Sequence, residues 1–167
     1  MNVEIKEIQG KGKGIFALKD FKEGEHILDI TGKIIETEGP ESFPEEIREH
    51  WNPIGKEGNK FRFIKGESPW EYMNHSCDSN AGIIKNMKLI ASKDIHKGEE
   101  ITIDYFSIDI ESLTGGKKQL AMECKCGSKN CRKTISTFDK LSIEDQNRLK
   151  KFLNPYLRKK YFGLNKN

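Results

Sequence analysis

Three of the chain's four cysteines fall in one short run, Cys124-Lys125-Cys126-Gly127-Ser128-Lys129-Asn130-Cys131. Gaps of one and four residues are too tight for comfortable disulfides among all three, so the run reads first as metal-binding. A structural zinc takes four ligands in a tetrahedron, and thiolates suit it. Cys77 is the one cysteine left to complete the set. It lies 47 residues before Cys124, so a shared ion would tie the end of the chain to an interior loop. Two other readings stay open. One is a single buried structural cysteine beside a reactive cluster. The other is a zinc ribbon gripping nucleic acid, although ribbons usually bring their ligands as two local pairs. With all four thiols spent on metal, no serine- or cysteine-based catalytic constellation remains.

The elements that must position these groups are short. Residues 15–18, 27–30, 34–35, 61–64, 89–91 and 101–105 are β-branched or aromatic runs separated by turn residues, and they read as strands. Lys22-Glu23-Gly24-Glu25 and Lys97-Gly98-Glu99-Glu100 read as glycine turns feeding strands. Strands this brief favour a mainly β fold of several small curled sheets. Residues 41–51, with Pro44 near the start and Trp51 near the end, read as a helix. So does a stretch from Ser142, an N-cap followed by Glu144 and Asp145, towards Leu153, where Asn154-Pro155 stops it. Tyr156 and Tyr161 are expected to pack, and His26, His50 and His96 to be surface or packed residues.

The 167 residues suffice for one domain with a small appendage. The net charge of +3 hides an asymmetry: residues 1–116 hold 15 Lys/Arg against 22 Asp/Glu, and residues 117–167 hold 14 against 4. The acidic part suits a basic peptide substrate. The basic part suits nucleic acid or an acidic partner, or is the solvated face of a terminal helix. The start lacks the basic end and apolar stretch of a secretory signal, and no run approaches the roughly 20 apolar residues of a membrane span. The expectation is a soluble, cytoplasmic protein, with no membrane partner and a monomer by default.

Four features then coincide in order. Gly12-Lys13-Gly14, Tyr72-Met73-Asn74-His75-Ser76-Cys77-Asp78-Ser79-Asn80, Glu100-Ile101-Thr102-Ile103-Asp104-Tyr105 and the cysteine run together resemble the SET-domain lysine methyltransferases with a post-SET segment. The resemblance covers residue 10 to about 135, and it is the compact bacterial or archaeal members that the chain is most similar to. It implies a SET (β-clip) fold over residues 1–110, a post-SET zinc segment over 111–135 and a basic helical extension over 136–167. By the same resemblance, Gly12, Lys13 and Gly14 lend backbone to S-adenosylmethionine. Asn74 and His75 hold its methionine and adenine parts, and Lys125 lies over the adenine. Tyr105 is the catalytic tyrosine, and Cys77, Cys124, Cys126 and Cys131 bind one structural zinc. The implied substrate is a lysine-containing protein, with a basic DNA-associated or ribosomal protein among the possibilities.

The sequence departs from the family pattern at several places. Ser79 stands where members commonly have proline, and Glu71 where an arginine is frequent. Ile30-Thr31-Gly32 replaces a tyrosine-x-glycine whose tyrosine lines the lysine channel. Ile103 stands where members have phenylalanine or tyrosine, which implies a roomier, drier channel favouring di- or trimethylation. The substitutions at Ile30 and Glu71 keep a rival reading in play, that of a catalytically silent SET-like module recognising a peptide or nucleic acid.

Overall fold

The computed structural model describes residues 1–39, 51–85, 87–108, 122–153 and 155–163. The expected helix over 41–51 lies outside them except for its last residue. Trp51 opens a strand instead. Among the described residues strands outnumber helices, as the short β-branched runs require, and no helix is long and apolar enough to cross a membrane. The chain divides into two compact units: residues 1–31, 67–104 and 125–131 form the first, and residues 32–66, 105–124 and 132–167 the second.

The first unit carries β1 (Val3–Ile8), β2 (Gly12–Ala17), β3 (His26–Asp29), β7 (Asn74–His75), β8 (Ala81–Ile84), β9 (Lys88–Ala91) and β10 (Glu100–Ile103). β1 and β2 form an antiparallel hairpin in which Val3 faces Ala17 and Ile8 faces Gly12. β10 pairs antiparallel with β2, and on its other side runs parallel to β7, with Thr102 opposite Asn74 and Ile103 opposite His75. A second sheet orders β3-β9-β8. Alternation puts Ile15, Leu89, Ala91 and Ile101 in the interior, where they are fully buried. The two glycine turns form as expected: Gly24 and Gly98 adopt positive φ, and their N–H groups donate to Ala91 O and Ala17 O. The run expected to continue as a strand to Tyr105 ends at Ile103. Asp104 is buried there, and Tyr105–Ser107 turns into a 3-10 helix.

The second unit contains the sheet β4-β6-β5, built from β4 (Gly32–Thr37), β5 (Trp51–Glu57) and β6 (Lys60–Gly66), and the small pair β11 (Met122–Glu123) and β12 (Thr134–Ile135). β5 is an edge strand, which accommodates Pro53 and its missing N–H, and its register shifts between Pro53 and Gly55. Phe63 is buried against Ile35 and Phe61. Helix α1 (Ile143–Leu149) starts as anticipated, with the Asp145 N–H donating to Ser142 Oγ at 3.2 Å. A 3-10 turn, Lys150–Phe152, follows it, and α2 (Pro155–Phe162) begins at the proline that ends the first helical stretch. Leu149, Phe152, Leu153 and Leu157 are buried. Tyr156 packs on Phe61 and Tyr161 on Phe138, the packing roles expected of them. Burial pushes the Asp145 carboxyl up, but the hydrogen bond from Arg148 and the charge of Arg132 outweigh it and hold the group below the usual carboxylate range.

One glycine is indispensable here. Gly32 has φ +153°, and a Cβ on it would lie 2.0 Å from the Lys65 carbonyl oxygen, on the strand it pairs with. Backbone cannot yield as a flexible side chain can. Gly32→Ala is expected to lower unfolding stability by about 2–3 kcal/mol, and a urea midpoint unchanged by the substitution would refute that.

Candidate active site

Hairpin β1–β2 and the parallel pair β7–β10 bring together, in the first unit, residues far apart in the chain. Gly12, Lys13 and Gly14 open β2, after a turn in which Lys11 N–H donates to Ile8 O at 3.0 Å. Lys13 contributes main chain: its carbonyl accepts from Asn74 Nδ2 at 2.9 Å, while its ammonium sits 5.0 Å from the centre of the Tyr72 ring. Gly14 is buried where its neighbours leave no space for a side chain. A Cβ there would lie 2.5 Å from Ile8 Cδ1, 2.9 Å from Glu100 Oε1 and 3.1 Å from Asn74 Nδ2. His75 and Glu100 also line a polar cleft of about 370 Å³ with Lys11, Asp78, Lys93 and Cys126, a lining that does not include Gly12, Lys13, Gly14 or Asn74.

His75 is buried on β7. Its Nε2 lies 3.3 Å from Cys77 Sγ, and its Nδ1 lies 3.8 Å from Oδ1 of the buried Asp104. The loop after it is stitched to β10 by Asn80, whose Oδ1 accepts from Thr102 N–H and whose Nδ2 donates to Glu100 O. The segment 125–131 returns to this unit, where Lys11 Nζ donates to Cys126 O at 3.2 Å. Gly127 turns it at φ +78°, and Cys131 N–H closes the turn on Ser128 O at 3.1 Å.

The donor chemistry suits zinc. His75, Cys77 and Cys126 place their ligand atoms within 4.8 Å of one another, and imidazole and thiolate are its preferred donors. Cys131, in the same unit, is not in that group. Cys124 is the last residue of its stretch of the second unit, two positions before Cys126 in the sequence. It is buried, and its N–H donates to Lys133 O at 2.8 Å.

The remaining expected residues are placed as follows. Ile103 is buried on β10, opposite His75. Lys125 is exposed. Tyr105, in the second unit, is half-buried at the start of its 3-10 turn, where its carbonyl accepts from Ile108 N–H at 3.2 Å. In that turn Phe106 and Ser107 are buried, and the Arg132 guanidinium lies 4.5 Å from the Phe106 ring centre. Sequence reasoning missed Glu100, Asn80 and Asp104 as site builders. Only the period-two spacing of Glu100 and Thr102, which puts both on one face of β10, hinted at the first of them.

A family model described as the SET domain matches residues 12–106. The chain belongs to the SET-domain family. It is 32% identical over 148 residues to human histone-lysine N-methyltransferase 2D, covering 81% of this chain and 2% of that protein. To histone-lysine N-methyltransferase SUV39H2 of Xenopus tropicalis it is 24% identical over 147 residues, covering 74% of this chain and 36% of that one. The chain thus spans little more than a third of the length of these curated relatives at most. Among solved SET-domain structures, it matches the methyltransferase domain of human histone-lysine N-methyltransferase SETMAR with a TM-score of 0.58. That match is 20% identical and covers 81% of this chain and 58% of that one. KRYPTONITE in complex with mCHG DNA and SAH gives a TM-score of 0.59 at 21% identity, covering 80% and 29%. At these identities the structures establish the SET fold, and with it the small-sheet architecture expected from the short strands.

Proposed function

We propose that the chain is an S-adenosylmethionine-dependent protein-lysine methyltransferase. The observation that carries this reading is the convergence, in the first unit, of the Lys13 carbonyl, the close-packed Gly14 and Asn74, with His75 following Asn74 on β7. When bound, S-adenosylmethionine supplies a methyl group activated on a sulfonium sulfur. Gly12, Lys13 and Gly14 would receive it along main chain, Asn74 and His75 would hold its methionine and adenine parts, and Lys125 would cover the adenine.

Methylating a lysine requires a neutral, aligned amine. With a reference pKa near 10.4, the uncharged form costs about 4.6 kcal/mol at pH 7. An apolar channel wall, to which the buried Ile103 would contribute, lowers that cost by disfavouring the ammonium. The Tyr105 hydroxyl would accept a hydrogen bond from the amine N–H and so aim its lone pair. Alignment of bound reactants is worth roughly 7–11 kcal/mol in favourable cases, enough for a site that has no nucleophile of its own. Aliphatic Ile103 leaves space for more than one methyl group, hence di- or trimethylation. Zinc on Cys77, Cys124, Cys126 and Cys131 would have a structural role, because four protein ligands leave no open position. The test is transfer of labelled methyl groups to a panel of basic proteins. Lysine-linked label supports the reading; cofactor binding without transfer to any protein would support the silent binding module instead.

A nucleic-acid partner has one specific observation in its favour. Residues 146–167 hold seven Lys/Arg and no Asp/Glu, and Lys151, Lys159 and Lys160 are exposed on the second unit. If they contact phosphates, duplex DNA affinity should fall by about tenfold or more between 50 and 200 mM salt. Affinity insensitive to salt, or no binding at the lower concentration, would remove nucleic acid from the partners.

A further inference from the structure

We propose that Glu100 is a positioning residue for the cofactor: with the Lys13 carbonyl, it fixes the amide of Asn74 so that the amide oxygen is offered to the α-ammonium group of S-adenosylmethionine. The inference rests on the reading of Asn74 given above and adds to it the atom that makes the contact and the side chain that selects that atom.

The geometry is confined to three neighbouring strands. Asn74 Nδ2 donates to Lys13 O at 2.9 Å and to Glu100 Oε1 at 2.8 Å. A backbone carbonyl and an ionised carboxylate are acceptors only, so the two hydrogens of an amide nitrogen satisfy both at once. A flipped amide would set its oxygen against two oxygens and forfeit both bonds. One of those bonds is charge-assisted, and such bonds are the stronger kind. The nitrogen side of Asn74 is therefore committed to the protein, and no described residue donates to its Oδ1. That oxygen accepts hydrogen bonds and cannot donate them, so it matches an ammonium.

The positions of the partners follow from the strands. Asn74 pairs with Thr102 across the parallel β7–β10 ladder, and Glu100 precedes Thr102 by two residues, on the same face of β10. Gly14 completes the arrangement, because a Cβ there would crowd both Glu100 Oε1 and Asn74 Nδ2. Lys13, Gly14 and Asn74, the residues that the family resemblance assigns to the cofactor, thus converge on a carboxylate that it left without a role.

Orientation and simple charge attraction make different predictions. Glutamine at position 100 keeps an acceptor oxygen for Asn74 but carries no charge. A ligand without the amino-acid portion, 5′-deoxy-5′-methylthioadenosine, has no ammonium to feel either effect. The experiment is calorimetric binding of S-adenosylhomocysteine and of methylthioadenosine to the zinc-loaded full chain and its variants, with thermal unfolding of each as a check on folding. Glu100→Ala should weaken S-adenosylhomocysteine by about tenfold and leave methylthioadenosine within about twofold. Glu100→Gln should restore binding to within about threefold, and Glu100→Ala should add less than about twofold in an Asn74→Ala background.

Equal loss of both ligands in Glu100→Ala would mean a general structural role and overturn the proposal. So would unchanged S-adenosylhomocysteine binding, or an effect that persists in full without Asn74. A Glu100→Gln variant as weak as Glu100→Ala would assign the effect to charge and overturn the orienting role. Failure of the unmutated chain to bind either nucleoside would bring down the functional reading and this inference together. Normal binding by that chain with no effect of Glu100→Ala would overturn the inference alone.

Discussion

Tyr105→Phe is expected to slow methyl transfer by about 100- to 1,000-fold, the usual effect of removing one hydrogen-bonding group that acts on the transition state. Affinity for S-adenosylhomocysteine should stay within about twofold, since the cofactor contacts assigned above come from Gly12–Gly14, Asn74 and His75. The reason for so large an effect is that the proposed reading gives the incoming amine to the Tyr105 hydroxyl; the first unit's own tyrosine, Tyr72, has its ring 5.0 Å from the Lys13 ammonium. The other tyrosines of known role are accounted for by packing: Tyr156 on Phe61 and Tyr161 on Phe138. Tyr156→Phe, which keeps its ring, is therefore the matched control and should retain full turnover. Single-turnover rates with saturating cofactor separate the chemical step from binding. A Tyr105→Phe protein within tenfold of the unmutated rate would show that the hydroxyl does not act on the reacting amine.

What could be read from the sequence and what could not divide along physical lines. The strands at 15–18, 27–30, 61–64 and 89–91 were legible because each is β-branched or aromatic and bounded by turn residues, so local preference and burial agree. β7, two residues long, was not legible as a strand, because it exists only through pairing with β10. β5 was hidden by Pro53, which argues against a strand until its edge position is known. At the candidate site, the motif residues were singled out by their types and order, but their supports were not. Glu100, Asn80 and Asp104 lie inside the motif segments, but apart from the period-two spacing of Glu100 and Thr102 nothing local gives them a role. Each matters through a partner at least 20 residues away in sequence, and that distance is closed only by tertiary structure. The candidate metal ligands show the same boundary. Spacing identified the thiols, but the approach of His75 Nε2 to Cys77 Sγ depends on how β7 runs into the loop behind it.

Removal of zinc is the other change expected to have a large effect. Tetrahedral coordination with Zn–S near 2.3 Å puts neighbouring donor atoms about 3.8 Å apart. The ligand atoms of His75, Cys77 and Cys126 already lie within 4.8 Å of one another, so small rotations suffice to close a site around an ion. Within the first unit, Lys11 Nζ ties the segment 125–131 to the first hairpin by an exposed hydrogen bond to Cys126 O across 115 residues. Such a surface bond is worth about 1 kcal/mol, against an apparent 10–16 kcal/mol for structural zinc in small peptides. Chelation should therefore lower the thermal midpoint by roughly 10 °C and abolish methyl transfer, with both restored by adding one equivalent of zinc. Cys77→Ser should purify with less than about a tenth of an equivalent of metal. Cys131 decides the ligand set. With Cys77, Cys124, Cys126 and Cys131 as ligands, Cys131→Ser loses the ion and His75 remains available to the cofactor, its Nε2–H donating to the Cys77 thiolate as an outer partner. Full zinc content in Cys131→Ser, together with its loss in His75→Gln, would instead make the imidazole a ligand. That outcome would also remove His75 from the adenine and reduce the cofactor contacts to Gly12–Gly14, Asn74 and Lys125.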